Sequence, residues 1–200
     1  MADFTVEDIK KLKELTGVGL TDAKVALTEA KGDFDKAVEA MRKKGLTKAE
    51  KRGDRDTREG IIDAYIHDGR IGAILELNCE TSFVAKTDDF KELAHYLAMQ
   101  IASMSPMYVG WDDIPADELK RVQKEAEDKL QDDKKPADVK AKIIEGQVKK
   151  NFEEKVLLAQ KYILDDSKTV EEFIKTYIAK TGENITVRQF KRMELGVTEQ

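Results

Sequence analysis

Between Gly60 and Cys79 the apolar residues fall on every second position: Ile62, Ala64 and Ile66, then Ile71, Ala73, Leu75, Leu77 and Cys79. Asp68-Gly69 separates the two runs. An Asp-Gly pair between alternating segments is a strong signal for a β-hairpin, because both residues accept the left-handed backbone of a tight hairpin turn. With those two residues as the turn, Ile66 faces Ile71, Ala64 faces Ala73 and Ile62 faces Leu75. All of them then share one face that must be covered, and a one-residue slip would turn the set outward. The cover follows directly in the chain. Phe90, Leu93, Ala94, Leu97, Ile101 and Met104 recur at helical spacing. Thr87 can cap that helix, and Asp88 and Asp89 suit the positive end of its dipole. A hairpin followed by its own covering helix commits this part of the chain to a mixed α+β core.

The C-terminal end returns to the sheet. Val170, Phe173, Ile174 and Ile178 define a helix started by Ser167 or Thr169, and Gly182-Glu183-Asn184 turns it into a last alternating strand from Ile185 to Leu195. The expected core is therefore a three-stranded antiparallel sheet with helices on one side. Between its two halves, Pro106 and the Trp111–Pro115 turn precede a helix near Ala116–Gln131. Pro136 opens another that Gly146 is expected to interrupt. The charged stretch from Glu118 to Lys155 reads as a solvated helical excursion.

Residues 5–44 read as three short helices. Thr5 caps the first, in which Ile9, Leu12 and Leu15 recur. Gly17-Val18-Gly19-Leu20 breaks it, Thr21 with Asp22 starts the second, and Ala23, Ala26, Leu27 and Ala30 line its face. After Gly32-Asp33 the third buries Phe34, Ala37, Val38 and Met41. So few, mostly small, apolar residues pack only a miniature core. The pattern resembles the ubiquitin-associated type of three-helix fold. Val18 and Leu20 are apolar and flanked by glycines, so they are candidates for exposed contact, and closure of the small core is the alternative.

Charge narrows the function. From Arg42 to Arg58 eight Lys/Arg stand against three acids, while the whole chain carries −5, so the remainder is at −10. An acidic bulk with one basic strip is not the broad basic face of a nucleic-acid binder. The strip reads as a tether, with an RNA or ribosome patch as the rival reading. The resulting division is a three-helix module at 1–45, a basic linker at 46–58 and a core at 59–197. No apolar run is long enough to span a bilayer, and Met1-Ala2-Asp3-Phe4 has neither the basic nor the apolar region of an export signal; a cytoplasmic protein is expected. Cys79, the single cysteine, continues the inward series of its strand and reads as a buried structural thiol. The glycines lack phosphate-loop spacing, and His67 and His95 with one distant cysteine cannot assemble a zinc site. His95 and Met99 lie together off the main helix stripe, as a contact or a satisfied polar edge. No nucleophile–base set is visible, so a binding protein without cofactor or metal is expected, not an enzyme.

One short stretch resists this bland reading. Thr81-Ser82-Phe83-Val84-Ala85-Lys86 joins the hairpin to its covering helix, in a place where loops normally run over the surface. Burying a Phe is worth roughly 1.5–3 kcal/mol. Phe83 therefore either folds back as a lid on its own core or is kept for a partner. A hydrophobic staple would want an apolar residue at position 86, where Lys86 stands, so ordinary capping does not account for Phe83.

Four separated segments carry a resemblance: Leu15-Thr16-Gly17-Val18-Gly19-Leu20-Thr21-Asp22-Ala23-Lys24; Glu76-Leu77-Asn78-Cys79-Glu80 through Lys86; His95 to Ile101 leading to Tyr108-Val109; and Gly182-Glu183-Asn184-Ile185 through Phe190 to Glu194-Leu195-Gly196. In that order they resemble the bacterial translation elongation factor Ts family over nearly the whole chain. The resemblance implies a nucleotide exchange factor that binds the GDP form of the GTPase elongation factor Tu, loosens Mg²⁺ and GDP, and leaves when GTP enters. It further implies that Thr81, Ser82, Phe83 and Val84 form the Mg²⁺-dislodging wedge, with Phe83 inserted between helices of the GTPase domain. Val18, Gly19, Leu20 and Thr21 would touch the same domain near its nucleotide. Two departures stand out. The family's loop reads Thr-Asp-Phe-Val, and Ser82 here replaces the carboxylate with an uncharged hydroxyl, so Phe83 must carry more of the wedge. Many members also have a second copy of the hairpin-and-helix half; short members supply it by homodimerising, so a homodimer is expected, without direct nucleic-acid or membrane contact. The rival readings are a peptide-binding adaptor built on residues 5–44 and an RNA- or ribosome-binding protein using Arg42–Arg58.

Overall fold

The computed structural model describes residues 4–16, 19–131 and 135–197. The architecture is α+β, as expected from the pattern. Helices α1 (Val6–Thr16), α2 (Leu20–Glu29) and α3 (Phe34–Glu50) form the N-terminal bundle. Thr5 and Asp8 cap α1 reciprocally: the Asp8 amide donates to Thr5 Oγ1 at 3.2 Å, and the Thr5 amide donates to the Asp8 carboxylate at 2.7 Å. Asp33 caps α3 by accepting from the Lys36 amide. The module's core is Leu12, Ala23, Ala26, Leu27, Ala37 and Met41. Leu15, expected on that stripe, is exposed. Helix α2 starts at Leu20, with Gly19 as its N-cap, earlier than the Thr21-Asp22 start expected.

Helix α3 runs on through Gly45 to Glu50, where the tether was expected to begin. Gly45 permits a close crossing: a Cβ there would stand 3.3 Å from Ala179 Cβ on α8 (Val170–Thr181). Ala49 is already part of the main core. Beyond the helix, Arg52 donates to the Ile178 carbonyl at 3.2 Å.

The main sheet has the order β1 (Glu59–His67), β2 (Ile71–Cys79), β5 (Ile185–Glu194), antiparallel throughout. Asp68 (φ 49°) and Gly69 (φ 64°) make the turn, both left-handed as the sequence required. The pairing, however, corrects the expected register. His67 faces Ile71, Tyr65 faces Ala73 and Asp63 faces Leu75, so Arg70 belongs to the loop. On β2 the inward series stands, with Ala73, Leu75, Leu77 and Cys79 all buried. On β1 the one-residue shift reverses the faces. Ile61, Asp63 and Tyr65 turn towards α5 (Asp88–Met104), while Ile62 and Ile66 are each 70% exposed on the outer face with Ala64. A bulge opposite Glu76 and Leu77, which pair with Gln189 and Val187, likewise switches β5. Ile185 and Val187 point inward before it, and Phe190 and Arg192 after it. Arg192 donates to the Ala102 carbonyl on α5 at 3.1 Å.

Helix α5 buries Phe90, Leu93, Ala94, Leu97 and Ile101 against the sheet, as its stripe demanded, but Met104, expected to end that stripe, is exposed on the last turn. It also buries Gln100, whose amide donates to Gln160 Oε1 (3.0 Å) and the Lys161 carbonyl (3.1 Å) and accepts from the Ile163 amide (2.9 Å). A buried amide satisfied on both ends is tolerated and fixes what it touches. Here it pins the root of the excursion, formed by α6 (Ala116–Lys129) and α7 (Ala137–Glu153) around Ile114, Val122, Phe152 and Val156. Gly146 lies inside α7 and does not interrupt it. A small ladder of β3 (Lys161–Tyr162) and β4 (Asp165–Thr169), which the sequence did not suggest, leads into α8. Thr169 and Glu172 close a capping box at the start of α8. Among the described residues, no helix is long and apolar enough to cross a membrane.

Candidate functional site

Strand β2 ends at Cys79, and the chain makes one helical turn, α4 (Ser82–Ala85), before α5 begins. The segment expected as a loop is thus helical. Successive side chains on a helix are separated by about 100°. Ala85 is buried and Val84 packs on the main core, so those two positions fix the inner side and Phe83 is turned away from it. Phe83 is 83% exposed, which excludes its being a lid on its own sheet.

The turn is braced on both sides. Ahead of it, Thr81 Oγ1 donates to Glu183 at 2.6 Å and the Thr81 amide donates to the other Glu183 oxygen at 3.0 Å. The Cys79 thiol donates to the Thr81 carbonyl at 3.2 Å. Burial, reinforced by the negative charge of Glu183, pushes that thiol up to about 11, so it remains a protonated donor at neutral pH. Behind the turn, the Thr87 amide and hydroxyl both donate to the Val84 carbonyl, at 3.0 and 2.7 Å. The Thr87 hydroxyl also caps α5 by accepting from the Phe90 amide at 3.3 Å. An apolar ring held out in water on a braced corner suits insertion into another protein; it offers no acid, base or nucleophile.

The other expected contact lies on the N-terminal module. Gly19 is extended, with open space around its Cβ position; Leu20 is 51% exposed at the start of α2, and Thr21 is exposed beside it. Leu20 therefore does not close the small core. Val18 lies outside the described residues. The structure gathers Thr81, Ser82, Phe83 and Val84 on one turn beside the main core, whereas Leu20 and Thr21 stand exposed on the first turn of α2, in the N-terminal bundle. Sequence reasoning missed Glu183: an acid after a helix-ending glycine carries no local sign of a partner 102 residues away.

The two histidines have partners of their own. His95 Nδ1 lies 3.3 Å from Asp63 Oδ2, with its ring edge-on to Tyr65, and the Tyr65 hydroxyl lies 3.0 Å from His67 Nδ1. Among the described residues, no group of three or more His, Cys, Asp or Glu is placed to hold a metal ion. A further surface is the outer face of the sheet, where Ile62, Ile66, partly exposed Ile74 and Met193 (76% exposed) stand uncovered.

The fold and the site define a factor that presents apolar side chains from a rigid frame. Comparison with known proteins gives that frame a family. The family model for elongation factor Ts matches residues 5–197. The chain is 51% identical to elongation factor Ts of Thermotoga maritima over 195 residues, 97% of each protein. It is 49% identical to that of Fervidobacterium nodosum, covering 97% of this chain and 99% of the relative. With that of Moorella thermoacetica it shares 48% over 190 residues, 94% of each. The chain belongs to the elongation factor Ts family and is a translation elongation factor.

Proposed function

We propose that the chain is a guanine nucleotide exchange factor for elongation factor Tu, binding its GDP form and promoting release of Mg²⁺ and GDP so that GTP can enter. The observation that carries this reading is Phe83, an aromatic ring kept almost wholly in solvent on a turn that is tied down on both sides. Thr81 to Val84 act as the wedge on the GTPase domain, and Val18 to Thr21 act as a second contact on the same domain. The factor makes and breaks no covalent bond and needs no cofactor; it acts in the cytoplasm through a protein partner. The nucleic-acid reading has less support because part of the basic strip is paired with the core: Arg52 donates to the Ile178 carbonyl and Arg55 pairs with Glu80. The adaptor reading leaves the Phe83 turn without a purpose. We further propose that two copies pair through the outer sheet face, where four large apolar side chains stand uncovered. We keep the division into a module at 1–45, a linker at 46–58 and a core at 59–197, with the first residues of the linker helical as the end of α3. Mixing the chain with elongation factor Tu loaded with fluorescent GDP tests the function directly. Accelerated loss of the bound nucleotide is expected, and an unaltered rate would refute it.

A further inference from the structure

We propose that the Gly182-Glu183-Asn184 turn is the anchor of the Phe83 turn, with Glu183 its positioning residue; this rests on Phe83 being the exchange wedge. A four-residue helical turn cannot hold its own orientation, because helix nucleation is unfavourable and pays back only over several further residues. An exposed ring gains nothing from staying put in the free protein. What aims Phe83 must therefore come from outside α4.

Gly182 is left-handed (φ 81°) and ends α8 by donating its amide to the Ile178 carbonyl at 3.0 Å, which brings Glu183 round to the end of β2. Glu183 then spends both carboxylate oxygens on one residue, taking the Thr81 hydroxyl and the Thr81 amide. Two bonds to one carboxylate fix orientation as well as position, and bonds to an ionised acceptor are the strong class. The anchor is itself immobilised. Asn184 is only 2% exposed. Its amide N–H donates to Glu80 at 2.6 Å, and its side chain donates to the carbonyls of Gly53 (3.2 Å) and Arg55 (2.9 Å). The turn therefore ties the base of the wedge to the segment arriving from the N-terminal module. Without it, Phe83 would pay the ordering cost at the moment of insertion instead of in advance.

The test is a cycle of labelled-GDP release from elongation factor Tu at saturating factor, with Glu183→Ala, Phe83→Ala and the double variant, each also melted. Glu183→Ala slows release about tenfold, less than Phe83→Ala, because the ring remains but its ordering cost now falls at insertion. Glu183→Gln keeps one acceptor for Thr81 and loses only about threefold. The double variant is no slower than Phe83→Ala alone, because Glu183 acts through the ring; a merely structural role would give additive losses. Additive losses, or a wild-type rate in Glu183→Ala, overturn the proposal. A wild-type rate in Phe83→Ala instead removes the wedge reading, and this inference with it. If Glu183→Ala is not folded at the assay temperature, the same cycle run with Glu183→Gln decides by the same criterion.

Discussion

Replacing Phe83 by alanine separates function from folding, because the ring is in water in one state and, on the proposed mechanism, buried in the other. A large aromatic buries about 150–250 Å² when enclosed. With 83% of Phe83 available, at about 25 cal/mol per Å², the ceiling for insertion is about 3–5 kcal/mol. Ordering the side chain and the residual burial of an alanine Cβ reduce this to about 2–3 kcal/mol, or about 30- to 150-fold. In the free protein the same truncation removes almost no buried surface, so stability should change by no more than about 0.5 kcal/mol. Leu77, fully buried beneath α5, is the internal control: Leu77→Ala should cost about 2–5 kcal/mol. Stopped-flow release of fluorescent GDP from elongation factor Tu gives the functional arm, and urea unfolding gives the other. Exchange coupling is reciprocal, so whatever factor Phe83→Ala removes from the weakening of GDP must also disappear from GDP's weakening of factor binding. Undiminished release with Phe83→Ala would refute the wedge. A fall in the unfolding midpoint as large as that of Leu77→Ala would refute the exposed placement of the ring.

The outer sheet face makes a second expectation: light scattering at micromolar concentration should give twice the chain mass, and Ile66→Lys, which puts a charge among Ile62, Ile74 and Met193, should give the chain mass with an unaltered circular dichroism spectrum. A wild-type monomer at that concentration removes the dimer. A third concerns alkaline pH. Burial, helped by the charge of Glu92 and Asp165, pushes Tyr162 up to about 12, and the hydrogen bond to Glu118 does the same for Tyr108. The folded protein holds these protons more tightly than the unfolded chain, whose tyrosines titrate near about 10. Their contribution is therefore complete below pH 10 and is lost as pH rises towards 12. Tyr162→Phe should flatten the decline of the urea midpoint across that window; parallel declines for the two proteins would contradict it.

The fold was legible wherever one face of an element was unambiguous. Helix α5 carries a single apolar stripe, and β2 has one inward series, so both faced as expected. Strand β1 carries isoleucines on both faces, Ile61 against Ile62 and Ile66, and alternation alone cannot choose between them. The expected register kept Asp63 out of the core, as burial costs would suggest. The structure nevertheless turns Asp63 inward, with Oδ2 3.3 Å from His95 Nδ1 at the edge of α5 but without a hydrogen-bond partner. That environment is non-local, and so is the switch of parity in β5, which depends on a bulge opposite Glu76 and Leu77. Gln100 was opaque for the same reason, since its three partners lie between residues 160 and 163.

The candidate site divides along the same line. Phe83 was visible as an apolar residue without a local reason, since neither strand alternation nor the capping of α5 calls for it. Its brace was not visible, because a carboxylate announces neither the amide nor the hydroxyl it will accept from. The register of β1 bears on this as well. Had the hairpin closed on two residues, Ile62 and Ile66 would have gone under α5 and added to the protein's own core. With Arg70 in the loop they join Phe83 in solvent, and the hydrophobic stabilisation of all three can be realised only by association. Burial of that size left unmade in the free chain, at two separate places, is what the proposed contact with a GTPase and the proposed pairing of two copies would each draw on.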